Sequence, residues 1–341
     1  MLISRKKKLA NKVVFVDGLP GCGKTLFSPI VAAMDRVELL SYAYEIEHYC
    51  ALYFLDKLPI DAAQAQVRLM TDLQLYDNVM GRRVNFRPSD LSSAFQDHDP
   101  SRYLKRLFQE GDSATVPIIE REQPILNLTT HQLLGFSEPI WEALGERCVF
   151  VEILRHPLYM IRQQLLNVEN LYGSEKSFDV CYLHKNIEVP FFAKGWEDEY
   201  LKYKGVDNVI CYLDHLSKRT KQIKEKVRKK YNATIITIPF EEFVLDPFKK
   251  IQEIADSLES KVTESTKTVM RKQNVPREKV AQGIDIPVYR RCGWVPAITN
   301  GNERDELIIR RDEVVKKASP ELIPILDRLC KEYEDEYWPS L

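Results

Sequence analysis

Short, unbroken apolar runs alternate along this chain with longer stretches in which apolar residues recur every three or four positions. Lys12–Asp17 (KVVFVD) is β-branched with no polar alternation, which predicts a strand buried on both faces. Thr115–Ile119, Pro124–Leu128, Arg147–Leu154 (RCVFVEIL) and Ala233–Pro239 (ATIITIP) share that character and are expected as further strands. Helical spacing covers Thr25–Met34, whose Pro29 falls in the first turns where proline is tolerated. It recurs over Arg36–Leu55, Asp61–Tyr76, Pro139–Leu144, Pro157–Val168, Lys194–Tyr203, Asp207–Lys229, Pro247–Leu258 and Pro320–Tyr337. Phe86–Phe108 reads as shorter helices broken at Pro88 and Pro100. Strands alternating with helices predict an α/β fold, a parallel sheet flanked by helices on both faces. The helical block at about 36–112 is expected as an insertion after the first βα unit of a single domain spanning 1–341.

Composition narrows the function classes. The 49 basic and 50 acidic side chains nearly cancel, so no global field favours nucleic acid and an anionic ligand needs a local site. Seven cysteines lie singly without a CxxC pair, which predicts reduced thiols and a cytoplasmic protein. The basic run Arg5–Lys8 is followed by an apolar stretch far shorter than a signal core, and no segment reaches the ~18 apolar residues of a membrane span.

Between the first strand and first helix stands Gly18-Leu19-Pro20-Gly21-Cys22-Gly23-Lys24-Thr25, which fits G-x-x-x-x-G-K-[ST] in its required strand–loop–helix setting. Gly18, Gly21 and Gly23 let backbone amides, that of Cys22 among them, curl round phosphate oxygens, and the helix N-terminus adds partial positive charge. Lys24 can reach a terminal phosphate, and Thr25 can bind a phosphate oxygen or Mg²⁺. This P-loop is the firmest functional feature, although it does not specify the reaction. A second candidate anion site is Arg155, at the end of the strand VFVEIL, where strand C-termini gather ligand groups.

Arg155-His156-Pro157, set in VEILRHPLYMIRQQL, resembles the sulfotransferases that use 3′-phosphoadenosine 5′-phosphosulfate (PAPS), in which a strand ending in Arg-x-Pro binds the 3′-phosphate. Gln163 stands where that family usually has serine. Thr129-Thr130-His131, after PILNL, is similar to the family stretch whose histidine is the catalytic base. ATIITIPFEEFVLDPFKKIQEIADSL resembles its late strand and Asp-Pro helix, and Arg290-Arg291-Cys292-Gly293-Trp294 with Asn302-Glu303-Arg304 resembles its closing basic region. The resemblance implies His131 and Lys24 as catalytic groups. It implies the loop, Arg155, Gln163, Arg290, Arg291 and Trp294 as the PAPS site, with a small-molecule or glycan acceptor and no metal ligands. The family usually carries its loop lysine at the position of Gly21, whereas this chain has Lys24 at the ATPase-like position.

A P-loop kinase using Mg-ATP is the main alternative, with Glu120-Arg121 at the end of VPII as its carboxylate and arginine. A non-enzymatic nucleotide switch is a third reading, although no Asn-Lys-x-Asp motif is present. Asp17 is expected to orient P-loop amides. Arg82, Arg83 and Arg87 form a basic cluster that could meet an anionic acceptor or a solvated face. The histidines at 48, 98, 156, 184 and 215 are assigned structural places.

Overall fold

Five strands form one parallel sheet: β1 (Val13–Asp17), β2 (Ser41–Tyr42), β3 (Leu126–Thr129), β4 (Cys148–Leu154) and β7 (Thr234–Pro239), in the order β2-β3-β1-β4-β7. A separate antiparallel hairpin joins β5 (Cys181–His184) to β6 (Ile187–Pro190). This computed structural model describes residues 1–170, 174–291 and 293–339, the side chains at 169, 170, 288 and 291 excepted. Every residue of β1 and β3 is buried, because helices cover both faces of a parallel sheet. Phe15 of β1 faces Phe150 of β4 in register, their rings stacked at 4.8 Å, and Trp141 lies 5.4 Å from Phe150.

The helices that bear on the site are named in chain order. They are α1 (Lys24–Ala32), α2 (Tyr44–Phe54), α3 (Ile60–Met80), α4 (Pro100–Arg106), α5 (Gly111–Glu122) and α6 (Glu138–Leu144). Then come α7 (Pro157–Asn170), α8 (Glu197–Lys202), α9 (Gly205–Tyr231), α10 (Phe240–Leu245), α11 (Phe248–Ser257), α12 (Glu264–Lys272), α13 (Pro287–Arg291), α14 (Glu303–Val315) and α15 (Ile323–Tyr337). No described helix is long and apolar enough to cross a membrane. The six described cysteines are free thiols, and only Cys181 is exposed.

Two of the expected elements are corrected. Thr115–Ile119 belongs to helix α5, not to a strand: Thr115, Ile118 and Ile119 are its buried residues, a spacing of three and four that a five-residue window hides. The helix expected over Arg36–Leu55 begins only at Tyr44. Before it, Val37 bridges Ile125, and Ser41–Tyr42 pair with Leu128–Thr129 as the sheet edge. In that extended stretch Glu38 is buried and held by both guanidinium nitrogens of Arg106, at 2.7 and 2.9 Å. The hairpin β5–β6 was unforeseen; its turn residues Lys185 and Asn186 have φ of 50° and 63°, the left-handed pair a two-residue turn needs. Helices α12 and α14 were also unforeseen, and both open on a capping box, at Thr263 and Asn302.

Candidate active site

The carboxyl ends of β1, β3, β4 and β7 converge on one cavity of about 370 Å³. From β1 runs the loop Gly18–Thr25. Gly18 and Gly23 have φ of 147° and 109°, and a Cβ on Gly23 would lie 2.4 Å from the Phe240 ring. A Cβ on Gly18 would lie 2.4 Å from the Ile153 carbonyl oxygen of β4, so the loop is pressed against the neighbouring strand. The Cys22 amide donates to the Leu19 carbonyl at 3.1 Å, closing the turn. Its thiol is buried outside the cavity lining, and burial pushes it up from its ordinary pKa. Lys24 is buried and its ammonium donates to the carbonyls of Gly18 and, at 3.3 Å, Leu19; Lys24 and Thr25 both line the cavity.

Asp17 does not orient the P-loop amides. It is buried at the end of β1 and accepts from Thr130 Oγ1 at 2.7 Å, the Leu133 amide at 2.9 Å and the Leu134 amide at 2.8 Å. The Gln132 amide donates to the Gly18 carbonyl at 3.2 Å. The turn after β3 is therefore stitched directly to the P-loop, and that turn carries His131.

His131 is half-exposed in the cavity wall. Its amide donates to Glu47 Oε1 at 2.8 Å, and its Nδ1 lies 3.3 Å from the same oxygen. A carboxylate at Nδ1 selects the tautomer with the proton on that nitrogen, which leaves Nε2 as the acceptor. Parallel rings of Tyr42 and Tyr44 lie 6.1 Å from the imidazole, restricting its rotation. Glu47 is a residue that sequence reasoning missed. It lies in a helix 84 positions away in the chain, and only the packing of α2 against the turn after β3 makes it the partner of His131.

Arg155 follows β4 and donates from Nη1 to the Gly21 carbonyl at 3.2 Å. Its guanidinium lies over Phe240, 4.4 Å from the ring centroid, and 5.3 Å from that of Tyr159. The Nε is buried without a hydrogen-bond partner among the described residues, and Glu241 stands 3.9 Å from it. Burial pushes Arg155 below its ordinary pKa, against the pull of Glu241 and Tyr159. Gln163 on α7 packs against Gly21, and Gln164, unforeseen, donates to the Pro20 carbonyl.

Two arginines join this end without having been anticipated. Arg277 lies 5.8 Å from the Phe240 centroid and, among the described residues, donates only to backbone carbonyls: Asn274 at 2.8 Å, Val280 at 3.0 Å and Gln273 at 3.4 Å. Burial, and then the charge of Arg155, push it down to about 10 from 12.5. Arg310 on α14 is held by Glu306 at 2.7 Å and faces the Tyr159 ring at 4.6 Å. A turn around Pro276 and a charged helix gave no sequence signal for either. Their role depends on the chain after β7 folding back over Phe240.

Trp294 lines the cavity and closes against Gly283, where an added Cβ would sit 2.4 Å from its indole nitrogen. Arg290 is corrected: it is exposed, paired with Asp285, and outside the cavity lining. The reason is the pitch of α13, which turns Tyr289 inward and Arg290 outward. The side chain of Arg291 and all of Cys292 lie outside the described residues. Arg82, Arg83 and Arg87 are paired on the surface with Asp77, Glu45 and Asp90 and do not line this cavity. His48, given a structural place above, does line it, with Nε2 2.7 Å from the Phe178 carbonyl.

Glu120 and Arg121 are exposed on α5, where Arg121 pairs with Glu122, and neither lines the cavity. The kinase reading thereby loses its carboxylate. The acidic residues that do sit on the strands beside the loop are engaged elsewhere. Asp17 accepts the three donors above, and Glu152 is bonded by Lys224 at 2.5 Å and Thr237 at 2.8 Å. No group of three or more His, Cys, Asp or Glu placed to hold a metal occurs among the described residues.

No protein-family model matches the chain, and no curated protein matches it. Among solved structures it is similar to the sulfotransferase domain of the Synechococcus PCC 7002 olefin synthase, with TM-score 0.40 and 12% identity over 94% of this chain and 100% of that one. It is similar to sulfotransferase STF9 from Mycobacterium avium, with TM-score 0.39 and 13% identity over 91% and 77% of the two chains. Mouse sulfotransferase SULT7A1 complexed with PAP gives 0.37 and 11% over 98% and 87%. At such scores and identities these likenesses carry no weight in the functional reading.

Proposed function

We propose that this chain is a sulfotransferase that moves a sulfuryl group from PAPS to a hydroxyl or amine of a small-molecule or glycan acceptor. The observation that carries the reading is one cavity holding a P-loop, a second arginine-rich anion site and a carboxylate-oriented histidine. A donor with phosphate groups at two separated positions satisfies both cationic regions, whereas the phosphates of ATP form one chain that the P-loop alone accommodates.

On this reading the loop amides, Lys24 and Thr25 hold the 5′-phosphosulfate. Arg155, Arg277, Arg310 and Gln163 meet the 3′-phosphate, and Phe240, Tyr159 and Trp294 form the wall for the base and ribose. Arg155 Nε, buried without a hydrogen bond among the described residues, gains an acceptor there. PAPS supplies an activated sulfuryl group on a phosphate leaving group. Lys24, freed from the Gly18 carbonyl, neutralises charge accumulating on that phosphate. His131 Nε2 accepts the proton of the acceptor hydroxyl, while Glu47 holds the ring and stabilises the imidazolium. Asp17 keeps this turn in register with the loop, so base and donor are positioned together.

Calorimetry with adenosine 3′,5′-bisphosphate and with Mg-ATP separates the readings. Metal-independent binding of the bisphosphate, lost in Arg155→Ala, supports the sulfotransferase; binding of Mg-ATP alone removes it. Transfer from PAPS should vanish in His131→Ala with bisphosphate binding retained.

A further inference from the structure

The cavity is polarised. Arg155, Arg277 and Arg310 gather around the Phe240 and Tyr159 rings of its lining, while Tyr42, Tyr44 and Glu47 adjoin His131, and Phe178 and the carboxylate of Asp179 complete the lining. From this partition we infer that the acceptor carries an ammonium group beside the hydroxyl that takes the sulfuryl group, an inference that rests on the function proposed above.

Asp179 precedes β5 and is half-buried, with Ser177 Oγ as a distant donor at 3.4 Å. No ion pair joins it to a lysine or arginine among the described residues. Burial raises its pKa, Glu47 raises it further, and the charges acting the other way are those of His131 and His48. Lys176 also lines the cavity but is exposed at its rim. Glu47 is committed to His131, so Asp179 is the carboxylate left for a ligand. Burial, and then the charges of Tyr42, Glu47 and Asp179, push Tyr44 up to about 12, so its hydroxyl feels both carboxylates.

The rings give the second, independent observation. Tyr42 and Tyr44 stack with centroids 5.8 Å apart, and both lie parallel to His131 at 6.1 Å. Their negative faces suit a cation on a flat or apolar body. An anionic acceptor would meet two carboxylates, and a neutral one would displace water from Asp179 without replacing its counter-charge. An ammonium satisfies Asp179 directly.

The chemistry stays balanced. The acceptor hydroxyl oxygen bonds to sulfur, the bond from sulfur to the 5′-phosphate oxygen breaks with its electron pair leaving on phosphate, and the hydroxyl proton passes to His131 Nε2. The ammonium keeps its proton and serves as a handle held by Asp179, not as the nucleophile.

The test uses three matched probes: 4-hydroxyphenethylamine, 4-ethylphenol and 3-(4-hydroxyphenyl)propanoate. Each is titrated calorimetrically into the full chain, with and without saturating adenosine 3′,5′-bisphosphate. The amine should bind at least tenfold tighter than the neutral phenol, and the carboxylate weakest. Asp179→Asn should erase the amine's advantage and leave the neutral phenol unchanged, while Asp179→Glu should restore part of it. Equal binding of amine and neutral phenol, or the carboxylate binding tightest, overturns the inference. Failure of the bisphosphate itself to bind overturns the donor reading instead, and the probe series without nucleotide still decides the acceptor class.

Discussion

Replacing Asp17 by asparagine changes one atom at the junction of the donor loop and the base. Asp17 Oδ1 accepts from Thr130 Oγ1 at 2.7 Å and from the Leu133 amide at 2.9 Å, and Oδ2 accepts from the Leu134 amide at 2.8 Å. An asparagine must turn its NH₂ toward one of these donors. With its oxygen kept on Thr130 and Leu133, the Leu134 amide faces another donor in a fully buried place. The loss of a charge-assisted hydrogen bond costs about 1.5–3 kcal/mol, and the stranded amide adds about 1–3 kcal/mol of desolvation. Because these terms overlap, Asp17→Asn should lower stability by roughly 3 kcal/mol. Urea denaturation of both proteins by circular dichroism measures this, with equal m-values required for the comparison. Under native conditions the folded variant should lose transfer through a lower kcat, with bisphosphate affinity changed far less, because Arg155 is held by Gly21 and Phe240, away from the displaced turn. A stability loss below about 1 kcal/mol would refute the reasoning, since it would mean that the turn finds other acceptors at no cost.

Gly23→Ala should be poorly tolerated. Left-handed backbone costs about 1–2 kcal/mol for an L-residue, and the methyl would strike Phe240 at 2.4 Å and displace the ring under Arg155; thermal denaturation and bisphosphate titration would both register it. Arg106→Leu leaves Glu38 buried without its ion-pair partner, with the Tyr103 hydroxyl at 3.2 Å still donating to it, and should cost about 3 kcal/mol by urea denaturation. Burial alone would raise Glu38, but the hydrogen bonds and charge of Arg106 hold it below 4.5. The pair's stabilisation is therefore complete above that value and lost as pH falls through the folded value, so the wild type should lose stability in acid more steeply than the variant. Arg277→Gln removes one of the cations lining the cavity, so bisphosphate binding should weaken by about 1.5–3 kcal/mol in calorimetry while urea stability changes little; unchanged affinity would remove Arg277 from the anion site.

Some of this protein was legible in its residues. A β-branched run followed by G-x-x-x-x-G-K-[ST] can hardly fold otherwise than as a strand, an anion loop and a helix, because local sterics and the glycines decide it. The runs before Thr129, Arg155 and Phe240 were likewise recognisable as strands, since each is short and mostly apolar and no helix period fits. Once the strands are parallel, their carboxyl ends share one edge, which is why His131 and Arg155 could be suspected of facing the same ligand.

What tertiary structure decided is which side chains meet there. Glu47 reaches His131 because α2 packs against the turn after β3, and Asp17 turns to that same turn because β1 and β3 are neighbours. Arg277 and Arg310 enter because the chain beyond β7 returns over Phe240, whereas Arg290, nominated from its motif, points outward by one residue's rotation along a short helix. The P-loop's identity is local and survives any arrangement of the rest. The second anion site and the orienting of the base are sums over residues far apart in the chain. Such contacts leave no periodicity or spacing to read, and burial and packing alone select them.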